Sequence, residues 1–366
     1  MVKEETCLFC DLNAPPDIPK YDMEWTWRVP ARYQNKRTTR NAKRFQMPNG
    51  GFVSLHSAAE IGASFDIEYI LETYKECNVD QTDRRGLTAL HLAARHGYSA
   101  ACRVLIKYDA NVLQESKTSK SNIIHMVATS GNLQLTEEIC SIISSRWGDD
   151  RLKAMVCCDN QHGKLPAHCA AQSGNTALFD YLYNFDTAHH HRNKTSDGRT
   201  FALLAAERGH RTMVEHLKKL KLVAQESLTA LYHNIVHHAA RSGNRELLKY
   251  VVKEMSLRCS RANPFKPNVF GMTPIFAAAE SQYTEVVEYL LQPPRELDLN
   301  VFLPSSCITP LSKAAQSGSL PMVQFLISRG AQVKLPCAKP LLHIAAQGGN
   351  VDMVKWLLEN HSLSDE

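Results

Sequence analysis

Residues Thr88 to Gly97 read TALHLAARHG, and similar stretches occur eight more times along the 366-residue chain. Aligned on His91, they are SLHSAAEIG, IIHMVATSG, PAHCAAQSG, FALLAAERG, IVHHAARSG, PIFAAAESQ, PLSKAAQSG and LLHIAAQGG. The nine anchors are His56, His91, His125, His168, Leu203, His237, Phe276, Ser312 and His343, at spacings of 35, 34, 43, 35, 34, 39, 36 and 31 residues. A period near 34 residues with two insertions marks a repeat array, in which one supersecondary unit recurs and buries its apolar face against its neighbours.

Other offsets test the alignment. Three residues after the anchor stands alanine in all nine copies, from Ala59 to Ala346. Six residues after it stands glycine in eight copies, with Gln282 as the exception. Fourteen residues after it the residue is always aliphatic: Ile70, Leu105, Ile139, Leu182, Leu217, Val251, Leu290, Leu326 and Leu357. Each offset has a physical reading. Thr88, Thr200, Thr273, Thr309, Asn122 and Asn234 stand where a side-chain oxygen caps a helix. Pro166, Pro274 and Pro310 fit the first turn, where no backbone N–H is needed. The alanines keep this helix thin, so that the next unit can approach closely. The glycine ends it in a left-handed turn. A second apolar helix follows, as in SAACRVLIKY, and then an extended connection whose own glycine often precedes the next cap (Gly51, Gly86, Gly163, Gly198, Gly271). The expectation is an all-α stack of helix-turn-helix units joined by hairpin-like loops.

A repeat of about 33 residues with a T-P-L-H-x-A pattern is that of ankyrin repeats. From about Gly51 to Asn360 the sequence resembles the ankyrin-repeat family, most closely in GMTPIFAAAE, GLTALHLAARHGYSAACRVLI and ITPLSKAAQSGSLPMVQFLISRGAQV. The resemblance implies an ankyrin-repeat solenoid over residues 49–366, with insertions near 144–156 and 259–268. It also implies that the anchor histidine braces neighbouring loops. Residues 1–48 are expected to be a basic, partly disordered extension.

The totals agree with a folded soluble protein, 44% hydrophobic and 22% charged. No apolar run reaches the ~18 residues of a membrane helix, and MVKEETCLFCDLN has no secretory-signal pattern. Eleven scattered cysteines, an odd number, read as reduced buried thiols rather than a disulfide framework. A cytoplasmic location is expected, with nuclear or membrane association as further options through the basic segment. The net charge is +5. Seven Lys/Arg and no Asp/Glu fall between Trp25 and Ala59, so the rest of the chain is slightly acidic.

Nothing points to catalysis. A catalytic or ligand histidine would have to be retained, yet its position is Leu203, Phe276 and Ser312 in sister units. His189–His191 are adjacent in an extended connection, so their side chains diverge, and no Cys or Glu at ligand spacing completes a metal site. Cys7 and Cys10 form half a zinc-ribbon pattern without a second pair. Phosphate-loop, nucleophile-elbow, kinase and deaminase signatures are missing from the sequence. Asn193 and Asn360 begin glycosylation patterns that an intracellular compartment would leave unused. No cofactor is expected.

Recognition is expected instead. The two residues before each turn glycine escape the stacking pattern, and Arg95, His96, Gln172, Ser173, Glu207, Arg208, Arg241, Glu280 and Gln316 among them are the candidate partner contacts on the concave helix face. Arg84 and Arg85 join them from a loop tip. A basic patch of Arg28, Arg32, Lys36, Arg37, Arg40, Lys43 and Arg44 could make weak contact with anionic membrane or an acidic protein. With no recognition motif beside that charge, sequence-specific nucleic-acid binding is not expected. The function expected is a non-enzymatic protein-protein interaction scaffold or adaptor in signalling. The alternative is the cytoplasmic N-terminal ankyrin array of a larger protein, such as a transient-receptor-potential-type ion channel.

Overall fold

The computed structural model describes residues 43–47, 52–185, 194–223, 234–258, 265–268, 270–293, 297–303, 308–333 and 340–360. Among them stand nine helix pairs, one for each anchor. The first helices are Leu55–Ile61, Ala89–Arg95, Ile123–Ser130, Pro166–Ser173, Phe201–Glu207, Ile235–Arg241, Pro274–Glu280, Pro310–Gln316 and Leu341–Gln347. Their second helices are Ser64–Thr73, Ser99–Lys107, Leu133–Trp147, Thr176–Tyr183, Arg211–Lys219, Arg245–Arg258, Thr284–Leu291, Leu320–Ser328 and Val351–Asn360. We number the units one to nine in that order. Each first helix packs on the first helix of the next unit, along the whole series.

The local signals act as the sequence implies. Thr88, Thr200 and Thr309 accept a hydrogen bond from the third backbone N–H of their helices, and Asn122 and Asn234 do the same. Thr273 has the extended cap backbone, but its hydroxyl makes no cap bond. Pro166, Pro274 and Pro310 are the first residues of their helices. All eight turn glycines have positive φ, and Gln282 at the ninth turn is held at φ 67°.

Burial follows the register. Alanine three residues after the anchor is fully buried in units one to eight, and the aliphatic residue at the fourteenth offset is buried in all nine. Burying each such aliphatic side chain stabilises the stack by roughly 1.5–3 kcal/mol. In unit nine, on whose far side no further unit stacks among the described residues, Ala346 is exposed.

Two departures have visible causes. The insertion near 144–156 extends the second helix of unit three to Trp147 and adds a helix, Asp149–Val156. That helix buries Leu152, Met155 and Val156, and the Met155 carbonyl accepts a bond from Asn122 Nδ2 (2.8 Å). The insertion near 259–268 lies partly outside the described residues. Before unit one, β1 (Phe45–Gln46) pairs antiparallel with β2 (Phe52–Val53). Phe45 and Met47 are buried in the same apolar core as unit one, and the Phe45 ring lies 4.8 Å from that of Tyr74. The chain therefore joins the packed array before residue 48.

The turns carry a tie between units that the pattern of alanines and glycines does not reveal. Asn132, Asn175, Asn244 and Asn350 stand one residue after the turn glycine. Each Oδ1 caps its own second helix, accepting from Leu135, Leu178, Leu247 and Met353 N–H at 2.9–3.0 Å. Each Nδ2 donates to the turn glycine carbonyl of the preceding unit, Gly97, Gly131, Gly209 and Gly318, at 2.6–3.2 Å. Where the same position is aromatic, the ring covers the preceding glycine. A Cβ at Gly243 would lie 2.5 Å from the Tyr283 ring, so that glycine is required for space as well as for φ.

Two substitutions test this account. Asn244→Ala removes a cap and a tie together and is expected to lower stability by about 1–2 kcal/mol. Gln282→Gly relieves a left-handed residue and is expected to raise it by roughly 1 kcal/mol. Urea midpoints at constant slope check both.

Candidate functional site

Four of the six anchor histidines, His56, His91, His125 and His237, are structural bridges. Backbone N–H of Thr88 donates to His91 Nδ1 (3.2 Å), so Nε2–H donates forward to the Gln114 carbonyl (3.0 Å). His125 and His237 reach the Lys164 and Met272 carbonyls at 2.8 and 3.0 Å, and His56 reaches Leu87 at 3.2 Å. Each bridge ties one unit to the loop that leads into the next. His343, with no later loop stacked on it among the described residues, is exposed.

Burial disfavours the charged imidazole. It pushes the His91 pKa down and takes His125 to about 4, against the opposing pull of the Lys164 carbonyl. Between pH 6.5 and 4 the unfolded chain takes up a proton at His125 that the folded chain refuses. Stability is therefore complete above about pH 6.5 and falls with acidification, by on the order of 3 kcal/mol from this residue once pH 4 is reached. Urea unfolding at pH 7 and pH 4.5 checks the sign. His125→Leu, which copies Leu203, is expected to be less stable at pH 7 and to lose less on acidification.

The candidate contacts gather where the hairpins overlie the first helices. Lys164 Nζ donates to Gln172 Oε1 (3.3 Å), and Arg199 pairs with Glu207 (3.0 Å) as well as with Asp197. Hairpin side chains thus lie along the same helix face as the two positions before the turn. Arg95 is half-buried, and Arg85, Arg208 and Glu60 are the charged side chains that act on it. Burial first, and then Arg85 and Arg208, hold its pKa below the usual guanidinium value, with Glu60 pulling the other way. His96 is exposed and stacks on Tyr98, with 5.8 Å between centroids. Arg208 and Gln316 are exposed.

Other candidates are occupied within the array. Arg241 pairs with Glu280 (2.8 Å), and Lys313 approaches the second oxygen of Glu280 (3.6 Å). Burial opposes ionisation of Glu280, but Arg241 and Lys313 outweigh it and hold the carboxyl below its usual range. Ser173 turns its hydroxyl to the Ala170 carbonyl (2.9 Å) and backs onto Gly131. Arg84 and Arg85 are exposed on a hairpin tip, with Arg85 3.2 Å from Asp83.

Of the basic patch, Arg28, Arg32, Lys36, Arg37 and Arg40 lie outside the described residues, as do His189–His191, Cys7 and Cys10. Lys43 pairs with Glu76 (3.0 Å), and Arg44 is exposed. Among the described residues no three His, Cys, Asp or Glu side chains stand together as metal ligands. Cys102, Cys140 and Cys169 are buried, and burial raises the first two thiols to about 12 and about 11, which keeps them unreactive. No helix among the described residues is long and apolar enough to cross a membrane.

A further feature of this face went unread in the sequence. The first four hairpin tips are hydrogen-bonded in succession. Lys117 N–H donates to the Gly86 carbonyl (3.3 Å), and Thr118 Oγ1 to that of Arg85 (2.6 Å). Gln161 N–H donates to the Ser119 carbonyl (2.9 Å) and Ser196 N–H to that of His162 (3.0 Å). The repeated Gly or polar residue at each tip was a signal for the turn, but not for the bonds between turns.

Stacked helix pairs with histidine bridges and linked hairpins define a repeat module of the ankyrin class. The profile described as ankyrin repeats, in three copies, matches residues 55–146, 204–302 and 303–365. That is more than half of the chain, which belongs to the ankyrin-repeat family. Unit four, Pro166–Tyr183, falls between the matched stretches yet repeats the same geometry. The chain is 24% identical over 286 residues to a leucine-rich repeat serine/threonine-protein kinase 1 of Caenorhabditis elegans, covering 74% of this chain and 11% of the relative. It is 27% identical over 226 residues to transient receptor potential cation channel subfamily A member 1 of Homo sapiens, covering 57% of this chain and 18% of the relative. It thus spans less than a fifth of either relative.

Proposed function

We propose that this ankyrin array is a non-catalytic adaptor that binds partner proteins through its first-helix face and hairpin tips, in the cytoplasm. Ankyrin repeats are in general protein-interaction modules and typically not catalysts. One observation carries the reading for this chain. Stacking alanines are buried in units one to eight, while the positions before each turn, and the side chains of the hairpin tips at 83–86, 117–120, 161–164 and 196–199, stay at least partly accessible. A rigid scaffold that presents such side chains binds without first having to order its own loops.

Affinity capture with the whole chain beside Arg95→Ala/His96→Ala/Gln172→Ala tests the face. Specific partners are expected to be lost at least tenfold, with the melting temperature little changed. Equal retention at equal strength would overturn the assignment. The basic segment is a second proposed contact, toward anionic membrane or an acidic protein. Deleting residues 1–41 rather than 1–48 tests it while keeping Phe45 and Met47 in place, and a shift in localisation is expected.

The similarity to a cation channel favours a second reading, in which this array is a cytoplasmic part of a larger membrane protein. An antibody against residues 84–96 would then detect a membrane-bound species much heavier than 41.1 kDa in native tissue.

A further inference from the structure

The first four hairpin tips, residues 83–86, 117–120, 161–164 and 196–199, carry six cations and two acids. The acids are already engaged. Asp83 Oδ1 accepts from the Arg85 and Leu87 N–H groups (2.8 Å each) while Oδ2 meets Arg85 Nε, and Asp197 is held by Thr195 and Arg199. Lys117 and Lys120 are exposed and form no ion pair among the described residues. Beneath the tips, Arg95 and Arg208 likewise have no ion-pair partner among the described residues, and Glu60 is the carboxylate that acts on Arg95. Units six and seven contrast with this. The tip at 268–271 is uncharged in sequence, and Arg241 is neutralised by Glu280.

We propose that the first-helix face of units two to five, under the first four hairpins, is a docking groove for an extended acidic segment of a partner protein. The inference rests on the adaptor reading above and specifies the chemistry of its partner. Units stack at the 8–10 Å separation of packed helices, and an extended chain advances about 3.3 Å per residue, so successive tips pass about every third residue of such a ligand. Arg208 is the cation of the fourth step, because Arg199 is held by Asp197 and Glu207. Three steps between four tips span roughly 30 Å, or about nine residues. The bonds between tips fix that spacing, so the ligand alone is ordered on binding. A lipid surface is the poorer fit, because a flat bilayer meets the tips but not half-buried Arg95 on the floor.

The test is fluorescence anisotropy with the full chain and a labelled 12-residue peptide carrying Glu at every third position, Gly and Ser elsewhere. Binding is expected to weaken with salt, to exceed severalfold that of a peptide with the same glutamates contiguous, and to fall at least tenfold in Arg95→Glu/Arg208→Glu. If that variant melts early, Lys117→Glu/Lys120→Glu on the exposed tip replaces it, with the same tenfold loss expected. Equal binding by the properly folded variant overturns the proposal. So does tighter binding of phosphatidylserine vesicles or of a single-stranded oligonucleotide of equal charge. If Arg95→Ala/His96→Ala/Gln172→Ala abolishes partner capture but the acidic peptide does not bind, the adaptor reading stands and this one fails.

Discussion

The close approach of neighbouring first helices is the constraint on which the rest of this molecule depends. It requires a small residue wherever two of these helices touch, and fully buried alanine meets that need in units one to eight. Any larger side chain would force the units apart and open the second-helix core, since interiors tolerate little added volume. Each unit is too short to bury its apolar face alone, so its stability comes from the neighbour. The aliphatic position fourteen residues after the anchor is the other half of this bargain: nine different units place it in one continuous core.

Close stacking leaves backbone groups of turns and loops facing each other, and side chains satisfy them across the gap. Four anchor imidazoles reach forward to the next loop, and four post-glycine asparagines donate backward to the preceding turn. The two are opposite in direction and similar in reach, which fixes both the separation and the rotation of adjacent units. The hairpin tips add a third set of ties at the outer edge. With three rows of polar bridges, the array holds side chains on its open face at regular intervals.

Charge is distributed unevenly over that regular frame. Toward unit seven, Arg241, Glu280 and Lys313 form a partly buried network that neutralises the face from within. Around units two to five the acids are tied into the hairpins, while Arg95 and Arg208 remain on the floor. The same position, two residues before a turn, therefore does different work in different units. Its occupant matters less than which neighbours the stack brings beside it.

Much of the fold was legible because its determinants are local or strictly periodic. Helix caps at Thr88 and Asn122, proline at first turns, glycine at left-handed turns and the buried offsets could all be read from the repeat. Even Gln282, the one break in the pattern, obeys the turn geometry because neighbouring units impose it. The candidate site was legible only as a set of free positions. That Arg241 is paired, that Ser173 backs onto Gly131 and that Glu60 is the carboxylate acting on Arg95 depend on contacts between residues some 35 or more positions apart. Periodicity specifies which side chains are released from stacking. Only the tertiary structure decides which of them meet, because electrostatic pairing acts through space between units and leaves no period in the chain.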